Sequence, residues 1–195
     1  MKKIFFLITF IVLTACSNIN TSVQRYNYNY FFPDSSSEIN YKCVFSYEEG
    51  LSEATAMLSI VKLVEYDTGT LFRLTANYPS QMTTSRTNFS LFYVEQDKIY
   101  KLPNTYKYQY TSTENFRKDG KIVCSEQELE DKLPQNQSGF HEYISANGDI
   151  RKYCSYNNQT ETGFFETFVW QKGVGLIFYE SGYGAQRDYI SLTIN

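Results

Sequence analysis

The sequence predicts an all-β protein, mainly an antiparallel meander, half-barrel or barrel, with one short helix. Three observations carry this. Short runs of alternating apolar and polar residues recur along the chain between turn residues, which is the period of half-buried strands. In the clearest run, Phe72, Leu74, Ala76 and Tyr78 share one face while Arg73, Thr75 and Asn77 share the other. Aromatic residues make up 17% of the chain, with 18 Tyr and 15 Phe, and these side chains suit a pleated surface on which a Tyr hydroxyl can stay wet.

The chain opens with Met1-Lys2-Lys3 and an apolar run from Ile4 to Val12. Two lysines, an apolar stretch too short for a permanent span and small residues after it read as a secretory signal peptide. The following Leu13-Thr14-Ala15-Cys16 resembles the lipobox of bacterial lipoproteins. That resemblance implies cleavage before Cys16, diacylation of its thiol with palmitate-like chains, and a membrane-anchored protein of the cell envelope, in the outer membrane or at the cell surface if there are two membranes. The expected organisation is a signal peptide over 1–15, a lipidated tether over 16–25 and a single β-rich domain over 26–195. Residues 17–25 are polar and unpatterned, as a tether requires.

Charge narrows the partners. The first 15 residues carry two of the 18 Lys+Arg and none of the 21 Asp+Glu, so the mature chain has a formal charge of −5 against −3 for the whole. A nucleic-acid partner is disfavoured, because phosphate binding needs a clustered positive face. Membrane contact is expected through the N-terminal lipid, each buried methylene contributing about 0.8 kcal/mol.

The elements follow in order. Pro33 fixes its own φ and pushes Phe32 toward extended backbone, which suits a chain entering an edge strand. A strand is expected over 39–47, then a turn at Glu48-Glu49-Gly50. Residues 54–66 match helical spacing at Ala54, Met57, Leu58, Val61 and Val64, but the β-branched centre and flanking strands make this a strand. Residues 86–94 and 98–102 continue the meander around Glu95-Gln96-Asp97, and 103–121 read as a long polar loop or irregular edge. Lys121 to Cys124 is a short strand. Ser125-Glu126-Gln127-Glu128 has the pattern of a capping box, which predicts the helix over 126–133, ended by Pro134. Strands at 140–146 and 149–156 are joined at Asn147-Gly148, a two-residue hairpin signal. Strands at 164–170 and 174–180 flank Lys172-Gly173, and Ile190, Leu192 and Ile194 mark a closing strand.

Two segments carry a further resemblance. Phe31-Phe32-Pro33 with Ile39-Asn40-Tyr41, and Trp170-Gln171-Lys172-Gly173-Val174-Gly175-Leu176, resemble the aromatic-Phe-Pro opening and the Lys-Gly-Val-Gly-Leu hairpin of uncharacterised bacterial β-rich lipoproteins. Ile39 stands where those proteins have Trp, and serines replace their glycine turn. The match implies a fold and no activity.

Few residues suggest chemistry. No catalytic residue is assigned: His141, the single histidine, reads as a packed or surface residue without a convergent set. Glu128 and Glu130 read as a solvated helix face, and the glycines at 173, 175, 182 and 184 as turn and bulge positions between strands. With Cys16 acylated, Cys43, Cys124 and Cys154 remain. A Cys124–Cys154 disulfide is the favoured pairing, its 29-residue loop worth roughly 3 kcal/mol in the chain-entropy model, with Cys43 a buried thiol. Pairing of Cys43 with either is the rival, and a fully reduced set is also open. No two of these cysteines have C-x-x-C spacing, so no metal is expected, and no cofactor either.

Two readings of function remain. The first is a non-catalytic binding module whose concave face holds an apolar or glycan ligand. The second is a structural or interaction lipoprotein, or surface antigen, with no small-molecule ligand. A wide apolar cavity favours the first and a filled core the second.

Overall fold

A computed structural model describes residues 28–33, 38–47, 50–78, 89–108, 111–159, 163–184 and 189–194. The signal peptide, Cys16 and the tether lie outside the described residues.

Among the described residues, eleven strands form one antiparallel sheet: β1 Glu38–Tyr47, β2 Gly50–Tyr66, β3 Gly69–Asn77, β4 Leu91–Val94, β5 Lys98–Lys101, β6 Lys121–Ser125, β7 Phe140–Asn147, β8 Ile150–Asn157, β9 Phe164–Gln171, β10 Gly175–Tyr183 and β11 Ile190–Ile194. Among the described residues a single helix, α1 Thr113–Asp119, stands between β5 and β6. The strand order is β6-β5-β4-β3-β2-β1-β11-β10-β9-β8-β7. Sequential hairpins thus build two runs, and the last strand joins them by pairing with the first, Leu192 opposite Cys43. The sheet curls until β6 approaches β7, β8 and β9, giving a nearly closed barrel.

Strand parity decides what fills it. Cys43, Leu192, Tyr179, Phe168, Tyr153 and Ile144 stand opposite one another across six strands and all face the core. On β3, Phe72, Leu74 and Ala76 point inward while Arg73, Thr75 and Asn77 are exposed, as their alternation predicts. The ambiguous stretch 54–66 is strand, part of the 17 residues of β2, because it pairs with both β1 and β3, and those ladders outweigh its helical spacing.

The interior is aromatic. Phe168 stacks on Trp170 at 6.1 Å with planes 6° apart, Tyr179 lies 4.9 Å from Phe168, and Phe92 and Phe89 close the group. The segment 28–33 enters one end of the barrel as a plug. Phe31 stacks against Trp170 at 6.1 Å and Phe32 is 2% exposed. Asn29 donates its N–H to Gln96 and accepts from Gly173 N–H, tying the plug to two turns of that end. The Arg151 guanidinium sits 5.0 Å over the Tyr30 ring.

The helix lies elsewhere than expected. Residues 126–133 contain no helix, and 113–119, read from the sequence as loop, form α1. Ser125 belongs to the β6 ladder opposite Lys98, its Oγ accepts from Gln127 N–H, and Glu128 reaches across to Ala146 N–H. Ser125 is therefore held in the β6 strand and Glu128 in a bond to β7, and a helix of two turns has little stability of its own to compete. In α1, Ser112 caps the N-terminus, Glu114 sits in the first turn, and Arg117 and Lys118 sit in the last. Phe116 is its one buried residue, packed on Leu71, Leu91, Tyr93, Tyr100 and Leu102 on the outside of the barrel. One apolar anchor in seven residues leaves no 3.6-residue period to read.

The expected Asn147-Gly148 turn is displaced by one residue. Asn147 pairs with Ile150, so Gly148 and Asp149 make the turn, Gly148 at φ 55.

Candidate functional site

The two sheet edges meet at a seam. β6 and β7 run in the same direction, and the crossover 126–139 returns along the outer edge of β7. Leu129 and Ile144 exchange both backbone hydrogen bonds, at 3.0 and 2.9 Å. Between the start of β6 and this crossover lies an open cleft of about 460 Å³. Ile122, Leu129 and Phe140 supply its apolar surface, with Phe140 half exposed, and its charge comes from Lys121 and Lys132 against Asp119, Glu130, Asp131 and Glu142. The Lys121 ammonium stands 3.9 Å from Glu142 and 5.9 and 5.8 Å from the Phe140 and Tyr153 ring centres. An apolar ring with an adjacent ammonium and carboxylates can hold an amphipathic group by stacking and hydrogen bonding.

Behind Glu142 a polar chain enters the barrel. Tyr153 donates to Glu142 at 2.8 Å, Tyr179 donates to Glu166 at 3.2 Å, and Lys101 is ion-paired with Glu166 inside the wall. Burial pulls the Lys101 ammonium below its ordinary pKa, against the Glu166 carboxylate, which acts to raise it. Burial pushes the Tyr153 hydroxyl well above its ordinary value, and the carboxylate of Glu142 adds to this.

His141 holds the crossover to the outer wall. Its ring has no exposed surface, stacks on Tyr156 at 4.6 Å, and puts Nδ1 2.6 Å from Asp131 Oδ2 and Nε2 2.9 Å from the Gln137 carbonyl. Both nitrogens are thus engaged structurally. Asn158 completes the clasp, donating to the Gln137 carbonyl and accepting from Gly139 N–H.

The three described cysteines are all free and buried. The Cys124–Cys154 bridge does not form, and parity is the reason. Cys124 pairs with Ile99 and faces the core, whereas Cys154 sits beside inward Tyr153 and so points through the other face, aligned with Tyr143 and Thr167. The sheet itself separates them. Cys43 is also an inward thiol, its pKa pushed up to about 11 by burial. Among the described residues, no three of His, Cys, Asp and Glu converge to hold a metal.

No family model, curated protein or solved structure matches this chain. The site therefore stands on its geometry. Sequence reasoning missed Lys121, Phe140 and Asp131 as neighbours, since the seam is made by strands at opposite ends of the sheet order and no local pattern announces it.

Proposed function

We propose that this chain is an envelope lipoprotein, anchored by acyl groups on Cys16, whose β domain acts by surface contact with another envelope component. The observation that supports contact over enclosure is the filled interior: the plug residues Phe31 and Phe32 and the rings of Phe168, Trp170 and Tyr179 occupy the space a carried lipid would need. The described chain begins at the barrel end that bears the turns at 67–68, 95–97, 148–149 and 172–174. Anchoring through Cys16 would keep that end toward the bilayer and turn the other end, with α1 and the mouth of the cleft, toward partners.

The second reading, a module for an apolar or glycan ligand, is favoured by the seam cleft with its half-exposed Phe140. Native mass spectrometry of protein drawn from its own envelope separates the two. Acyl mass on Cys16 with no further small molecule supports contact; a lipid or glycan retained at one per chain replaces that reading with the ligand module. Cys16→Ser should abolish partition into the detergent phase, and unchanged partition would remove the anchor.

A further inference from the structure

We propose that the crossover 126–139 is a proton-latched strap: an imidazolium at His141 pins it to the barrel wall, and loss of that proton frees it from the edge of β7. The geometry of the ring carries this. Nδ1 faces a carboxylate oxygen and Nε2 faces a backbone carbonyl, and neither partner has a hydrogen to donate. A neutral imidazole can donate from one nitrogen only, so its other lone pair would face an acceptor lone pair. The imidazolium donates to both. The proton resides on the ring, because Asp131 Oδ1 already accepts from the N–H groups of Leu133 and Glu142 and is held as a carboxylate.

The surroundings agree. Hydrogen bonding to Asp131 raises the His141 pKa above the ordinary imidazole range, against the burial that acts to lower it. Burial acts to raise Asp131, but the Leu133 N–H, the His141 ring and the Glu142 N–H outweigh it and hold its carboxyl low. The other titratable groups nearby are Tyr156 on β8, which stacks on the ring, and Tyr143 on β7, whose hydroxyl Cys154 and burial push far upward. Lys132, next on the strap, is exposed.

The sign follows. The latch stabilises the closed strap fully below the ordinary imidazole pKa and loses its hold as pH rises through the raised value of His141. At the acid end it lasts until Asp131 is protonated. Release would leave the backbone groups of Ile144 that now bond Leu129 unpaired and widen the cleft that Leu129 lines.

The test uses the untagged chain, whose single histidine gives one set of imidazole signals. ¹⁵N NMR should show both ring nitrogens protonated at pH 7. As the ring titrates, protection factors of the Leu129 and Ile144 amides, corrected for intrinsic exchange, should fall about tenfold while β1 and β11 stay protected. Asp131→Asn should lower the titration point and loosen the strap already at neutral pH. A neutral ring at pH 7, or strap protection that does not move as the ring titrates, overturns the proposal.

Discussion

The Phe32 ring lies where a side chain on Gly175 would stand: a Cβ there would fall 2.4 Å from Phe32 Cδ1. Gly175 also has φ 109, in the region that L side chains avoid. Gly175→Ala should therefore displace the plug as well as strain the backbone, lowering stability by about 2–3 kcal/mol in urea unfolding. Gly148→Ala is the control: it shares a positive φ of 55 but meets no atom within 4 Å, so a cost of about 1–2 kcal/mol is expected from strain alone. Equal costs at the two positions would count against the plug.

Phe116 is the sole buried residue of α1, its ring 5.1 Å from Tyr93 and 5.6 Å from Tyr66. Phe116→Ala should cost about 3–4 kcal/mol and detach the helix while leaving the strands paired. Far-ultraviolet circular dichroism that keeps its strand signal, with amide exchange raised over 112–119, is the expected result.

Lys101 and Glu166 form an ion pair whose side chains are only 15% and 4% exposed. Removing one partner strands the other charge in the wall, so Lys101→Met should destabilise by about 3–5 kcal/mol. Lys101→Met with Glu166→Leu together should cost much less than the sum of the single changes, read from a double-mutant cycle. Additive costs would show that the two side chains do not depend on each other.

The thiols at positions 43, 124 and 154 are buried and free. A chain beginning after Cys16 should react with Ellman's reagent only on unfolding and then release three equivalents, with no change in unfolding midpoint on adding reductant. Burial holds the Cys43 and Cys124 thiols protonated far into alkaline pH, which slows attack further.

Much of the fold was legible in the sequence because strand parity is local. The alternation of Phe72, Leu74 and Ala76 named their inward face, and glycine at the turns after Asn147 and Lys172 named two hairpins, the first within one residue. Short-range rules failed where two partners competed for one group. Ser125 and Glu128 look like a capping box in isolation, yet Ser125 lies in the β6 ladder with its Oγ turned to Gln127 N–H, and Glu128 accepts from Ala146, distant in sequence.

By itself the sequence determined the antiparallel β class and the order of most strands, since each follows from composition or from residues two apart. The signal and lipobox readings also rest on the sequence alone. Only the tertiary structure decided that β11 closes on β1, that Cys124 and Cys154 face opposite sides of one wall, and that His141 meets Asp131 and Gln137. These depend on how far the sheet curls and which edges meet, and that is set by the sum of aromatic packing across eleven strands rather than by any one of them.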